Sequence, residues 1–270
     1  MNILRGSAFF GRLNSASSNA TEAVLRAADA PEAPAITRAL AKAAFPNRVS
    51  STWAFFGKCR SKIMGLYKKF INQTRKPEGT LGKMMVNGMN SGHAKMADWG
   101  MSHLPALIPS QIAELGCGGG RNAGELSKRY PLSKVVAVDY SEVSVAKAKE
   151  YNRERIELGR MIVEQGDVSN LKLPDDSFDL ATAFETIYFW PGLEKCFAQV
   201  YRILKTGGYF MIVNESDGTD EASLKYEKLI EGMKCYTAED IGSALKAAGF
   251  GKIECKHHDS KPWLAVVAYK

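Results

Sequence analysis

From residue 111 to the end of the chain, short apolar runs alternate with segments of helical period. QIAEL (111–115), KVVAVD (134–139), RMIVEQ (160–165), FDLATAF (178–184) and GYFMIVN (208–214) have strand length and strand composition. Between them, 121–130, 142–156 and 192–204 place apolar residues at three- and four-residue spacing, which predicts helices. Thr237 is a candidate cap for a further helix over 238–248 that stops near Gly249. KIECKHH (252–258) and WLAVVAY (263–269) read as an antiparallel pair. Strands alternating with helices predict an α/β fold: a doubly wound, mostly parallel sheet with helices on both faces.

The first third reads differently. Residues 1–50 are rich in Ala, Ser and Arg and form a leader or weakly ordered extension. The first 21 residues carry Arg5 and Arg12 and no acid, a composition resembling an organellar transit peptide. In 51–76, seven basic residues and no acid accompany Ile63, Leu66, Tyr67, Phe70 and Ile71 at helical spacing. That pattern predicts an amphipathic basic helix, ended by Pro77-Glu78-Gly79, that covers the following domain or lies on an anionic membrane surface. The expected organisation is thus an extension (1–50), a helical cap (51–104) and a ligand-binding domain (105–270).

Charge sharpens this division. Residues 1–104 hold 15 Lys and Arg against 5 acids, whereas 105–270 hold 21 against 24. The basic excess therefore belongs to the extension, where it suits an import signal, a nucleic-acid partner or a solvated face. The five cysteines form no CxxC pair and no cluster of zinc spacing, which suits a reducing compartment such as the cytoplasm, with a mitochondrion or related organelle as the alternative. No metal site is expected. No apolar run reaches membrane-spanning length.

The candidate chemistry lies in IAELGCGGGRNAGE (112–125). Glycines at 116, 118, 119 and 120 follow the first strand and open a helix. Glycine permits positive φ and removes a Cβ that would obstruct a ligand. The helix start adds unpaired N–H groups. A dinucleotide would use such a loop, but the G-x-G-x-x-G fingerprint fits only from Gly118, with Ala123 at its last position.

Glu114, Asp139 and Asp167 stand at the ends of successive strands around E-x-G-x-G-x-G. This set resembles the class I S-adenosylmethionine-dependent methyltransferases over about residues 80–270. FDLATAFETIYFWPGLEKCFAQVYRILKTGGYFMIVNE is similar to the fourth and fifth strands of that family's small-molecule branch. The resemblance implies a Rossmann-like, seven-stranded sheet with an antiparallel last strand. It implies S-adenosylmethionine as cofactor, with Glu114 orienting the loop and helping to hold the ammonium group. Gly116, Cys117 and Gly118 would meet the methionine portion. Asp139 would accept the ribose hydroxyls, and Tyr140 would pack on the adenine. Asp167 and Val168 would bind the adenine edge, with Phe184 completing the wall. For each isolated Asp, a helix cap or turn role competes.

The cofactor would carry the hard chemistry, so no obvious catalytic motif is required. Glu185, Thr186, Tyr188 and Trp190 follow the fourth strand and are expected to face the acceptor. Residues 83–105, with Asn90, Gly92, His93 and Trp99, would form the other wall. His93, Glu185 and Tyr188 are the candidate catalytic groups, and Tyr236 and Trp263 are either pocket or core. The expected activity is methyl transfer to a small-molecule acceptor. The alternatives are an RNA methyltransferase gripping phosphates through the basic helix, a catalytically silent cofactor-binding module and a dinucleotide oxidoreductase.

Overall fold

A computed structural model describes residues 72–75, 77–79, 82, 86 and 92–270. The leader over 1–50, nearly all of the basic helix over 51–76, and Asn90 lie outside the described residues.

The described chain begins with a single 3-10 turn, Asn72–Thr74. Helix α1 spans Ala94–Met101 and leads into β1 (Gln111–Leu115). Then come α2 (Arg121–Arg129), β2 (Lys134–Asp139), α3 (Glu142–Tyr151), α4 (Arg153–Glu157), β3 (Met161–Gln165) and β4 (Phe178–Phe184). The chain continues through α5 (Leu193–Ile203), β5 (Leu204–Asn214), α6 (Glu221–Leu229), α7 (Ala238–Ala247), β6 (Ile253–His257) and β7 (Leu264–Tyr269).

The seven strands lie in the order β3-β2-β1-β4-β5-β7-β6. β1 to β5 pair in parallel, and β7 runs antiparallel between β5 and β6. The fold is therefore the seven-stranded, doubly wound sheet expected. Its order reverses at β1, which pairs with β2 on one side and β4 on the other. Strand alternation divides the core in two. Ala113 and Leu115 face a cluster with Phe197, Val200, Ile241 and Leu245 from α5 and α7. Ile112 faces the opposite cluster, with Met96, Ala97, Ala123, Leu126 and Val145 from α1, α2 and α3.

Three expectations shift in detail. The helix over 142–156 breaks at Asn152, which is wholly buried and donates from Nδ2 to the carbonyls of Gly120 and Ala148. The side chain there serves the glycine loop rather than the helix surface. β5 starts at Leu204, directly after α5, so the K-T-G-G stretch lies within the strand instead of before it. Helix α6 was not expected from the pattern, because none of its residues is buried and no apolar stripe marks it.

Candidate functional site

The carboxyl ends of β1, β2 and β4 surround a cavity of about 290 Å³. This is the crevice at the reversal of strand order, where open α/β sheets bind ligands. Its floor is the turn after β1. Gly116 has φ +79°, and a Cβ there would fall 2.0 Å from Oγ1 of Thr186. Gly118 has φ +50°, and a Cβ there would enter open space. The two glycines thus answer different demands. Gly116 lets the loop pass against Thr186, whereas Gly118 leaves backbone bare toward the cavity.

Asp139 ends β2 and fixes this loop. Its Oδ2 accepts the Gly118 N–H at 2.8 Å and its Oδ1 the Ser141 N–H at 2.9 Å. Burial pushes its pKa above the usual carboxylate range, and the bonds from Ser141 and Gly118 oppose that shift. An ionised carboxylate offers about four acceptor positions, so both oxygens retain capacity toward the cavity that Asp139 lines. Ser141, not Asp139, caps α3: its hydroxyl accepts from the Ser144 N–H and donates to the Pro77 carbonyl at 3.0 Å.

The turn after β3 supplies the next wall. Asp167 caps the 3-10 turn Val168–Asn170 by accepting the Ser169 N–H at 2.8 Å, and both Asp167 and Val168 line the cavity. Tyr140 also lines it, and its hydroxyl donates to the Arg75 carbonyl. Burial and the neighbouring Asp139 charge push the phenol pKa up to about 12, so it stays a donor. Cys117 and Phe184 complete this half.

At the other end stand His93, Glu185, Thr186 and Trp190. Glu185 adopts φ +58°, a left-handed conformation that costs a non-glycine residue roughly 1–2 kcal/mol. Its Oε1 accepts from the Tyr188 hydroxyl at 3.1 Å and from the Glu215 N–H. Burial raises its pKa, while the adjacent His93 opposes the rise. His93 precedes α1, with Nδ1 3.8 Å from Glu185 Oε2 and Nε2 3.6 Å from Glu215 Oε2. Trp190 donates from Nε1 to Thr186 Oγ1 at 3.2 Å, tying the aromatic wall to the residue that crowds Gly116.

Several expected site residues lie elsewhere. Glu114 does not line the cavity. Strand alternation turns it to the α1–α3 face, where Thr182 donates to its Oε2 and burial pushes its pKa up to about 8. An ammonium-binding role does not fit that position. Tyr188 sits behind Glu185, its hydroxyl accepting the Ser216 N–H at 3.1 Å, so it positions the carboxylate instead of facing an acceptor. Tyr236 belongs to the core around α5 and α7. Trp99 and Trp263, with ring centres 5.9 Å apart, form an aromatic cluster with His258 outside the cavity wall.

Sequence reasoning missed Arg75, Pro77, Arg121, Asn122 and Phe189, which also line the cavity. For Arg121 and Asn122 a signal existed: they open the helix directly after the glycines. Arg121 pairs with both carboxylate oxygens of Asp98 at 2.6 and 2.7 Å, which ties α2 to α1. No sequence motif marks Arg75 or Pro77.

The open backbone at Gly118, the carboxylate beneath it and the polar turn at 167–168 suit a ligand with an amino-acid end, a ribose and an adenine. Residues 113–212 match the family model described as a methyltransferase domain. Similar proteins include a sterol 24-C-methyltransferase of Eremothecium gossypii, 27% identical over 56% of this chain and 44% of its own length. A malonyl-[acyl-carrier protein] O-methyltransferase of Geobacter sulfurreducens is 27% identical over 56% of this chain and 59% of its own. The chain thus spans about half the length of the curated relatives it matches. An S-adenosylmethionine-dependent methyltransferase of Aquifex aeolicus shares the fold with a TM-score of 0.57, 18% identity and coverage of 69% of this chain and 97% of its own. Human N-acetylserotonin methyltransferase, solved with S-adenosylmethionine, gives 0.58 at 18% identity, covering 70% and 56%.

Proposed function

We propose that this chain is a class I S-adenosylmethionine-dependent methyltransferase that transfers a methyl group from that cofactor to a small-molecule acceptor, a reading supported by the match of residues 113–212 to the methyltransferase-domain model. The observation that carries the reading is the Asp139–Gly118 bond at the reversal of strand order, inside a cavity that continues to Glu185 and His93. When bound, S-adenosylmethionine supplies a methyl group on a sulfonium, already a good leaving group.

The chain's residues hold and orient. The bare backbone at Gly118 would meet the amino-acid end of the cofactor. The remaining lone pairs of Asp139 would accept the ribose hydroxyls. Asp167 and the Val168 N–H would bind the adenine edge, with Tyr140 beside the ring. Phe189, Trp190 and Pro191 line the cavity beyond Thr186 and withdraw that end from water. The protein must then align an acceptor lone pair with the bond to be broken. Glu185 and His93 are the groups placed to take a proton there, and Tyr188 keeps the Glu185 carboxylate in place. The names of the relatives describe methylation of a sterol at carbon and of a malonyl carrier protein at oxygen, so likeness does not choose the acceptor atom.

Two measurements test this reading. Asp139→Ala should weaken S-adenosylmethionine binding by at least ~1 kcal/mol in calorimetry, the scale for losing hydrogen bonds to a charged group. An unchanged dissociation constant contradicts the ribose assignment. Incubation with isotopically labelled cofactor and a metabolite extract should label a small molecule; cofactor binding without any label transfer would favour a silent binding module.

A further inference from the structure

His93 and Glu185 line one end of the cavity, and Glu215 comes up beside them, so three separate elements meet there: the start of α1, the turn after β4 and the residue after β5. One ligand atom of each lies within 4.8 Å of the others. The imidazole–carboxylate gaps, 3.8 Å from Nδ1 to Glu185 and 3.6 Å from Nε2 to Glu215, exceed hydrogen-bond length, so the imidazole is bonded to neither carboxylate. An ion takes one imidazole nitrogen, whereas the two gaps involve different nitrogens. Ligand atoms about 2.1 Å from one ion lie at most about 4.2 Å apart, so ion binding requires these side chains to turn and draw in from their 4.8 Å spacing. Two carboxylates converging on one imidazole also concentrate negative charge where no Lys or Arg pairs with either of them among the described residues.

We propose that His93, Glu185 and Glu215 form a divalent-cation site that presents an oxygen-bearing acceptor for methylation, a reading that rests on the methyl-transfer function above. One imidazole nitrogen and two carboxylate oxygens make a mixed set suited to Mn²⁺, Fe²⁺ or Zn²⁺. Three protein ligands leave positions open, as catalytic metal sites do. The support of the Glu185 carboxylate is in place. Tyr188 and the Glu215 N–H hold Glu185 through its Oε1, leaving Oε2 toward His93. The left-handed backbone at Glu185 is a local cost spent on this orientation.

The ion gives the site a substrate class. With the ion bound, His93 and Glu185 serve as its ligands in place of taking the proton themselves, and a hydroxyl oxygen of the acceptor that joins the ion loses its proton to water more readily, as metal-bound water does. The oxygen lone pair then forms the O–CH₃ bond while the S–CH₃ bond breaks and its electron pair stays on sulfur. An acceptor with a hydroxyl, or with two adjacent oxygens, fits this arrangement.

The test uses the whole chain, stripped with chelator and without S-adenosylmethionine. Mn²⁺ titrated alone should bind one ion per chain, seen by electron paramagnetic resonance. Glu215→Gln should weaken binding at least tenfold, and so should His93→Gln. Glu215 is half-exposed, so its variant should melt with the wild type and keep its cofactor affinity. Acetohydroxamate, a probe with two adjacent oxygens, should alter the spectrum of bound Mn²⁺. Absence of stoichiometric binding, or equal binding by wild type and both variants, overturns the site. An unaltered spectrum with the probe overturns the acceptor class. A wild-type chain that binds Mn²⁺ but not S-adenosylmethionine would instead strike the methyl-transfer reading and leave the ion site standing.

Discussion

At the scale of single residues, the site is set by what two side chains cannot do elsewhere. Thr186 occupies the space a Cβ at position 116 would need, and the positive φ there adds backbone strain. Gly116→Ala should therefore destabilise the fold by at least ~1 kcal/mol in denaturant unfolding. Combining it with Thr186→Gly should recover part of the loss, since the two changes share one contact. Glu114 makes a different prediction. Burial holds its carboxyl up at about 8 against an ordinary 4.5. Between those values the folded chain keeps a proton that the unfolded chain releases, so stability falls as pH rises through the window. Glu114→Gln removes that titration while preserving an amide partner for Thr182. Its stability should be flatter than wild type between pH 4.5 and 8, by up to a few kcal/mol at the upper end. Parallel slopes from urea unfolding across that range would refute the assignment.

At the scale of elements, α1 links the two halves of the cavity. It begins next to His93, carries Asp98 to Arg121 at the start of α2, and packs Gly100 onto Val213 of β5. A Cβ at position 100 would lie 2.4 Å from a Val213 methyl. Gly100→Ala should push α1 off the sheet at a cost of roughly 1–3 kcal/mol, with a matching fall in melting temperature. The companion change Val213→Ala should relieve it. The same elements show how far the chain could be read from its pattern. The strands were legible because buried parallel strands are continuous apolar runs; KVVAVD and FDLATAF admit few other readings. That Asp139 and Asp167 line the cavity was legible because they stand at or just after strand ends near the glycines. Glu215 was not, because an acid after a strand is ordinary until a histidine from a distant segment is folded against it. The direction of Glu114 was knowable from alternation but was overridden by its nearness to the loop. Helix α6 left no trace, having no buried face to pattern.

At the scale of the whole molecule, the sheet separates binding from positioning. The strand order reverses at β1, and the ends of β1, β2 and β4 converge on one cavity. Distant stretches of chain contribute the remaining wall. The segment at 75–77 is fastened to the end of β2 by two hydrogen bonds, from Tyr140 to the Arg75 carbonyl and from Ser141 to the Pro77 carbonyl. Both acceptors are main-chain atoms, and every residue type owns one. A substitution at 75 or 77 can alter the shape of that clasp but cannot delete the atom it grips. The grip on this part of the cavity wall is therefore written in the donors, Tyr140 and Ser141, and not in the letters at 75 and 77.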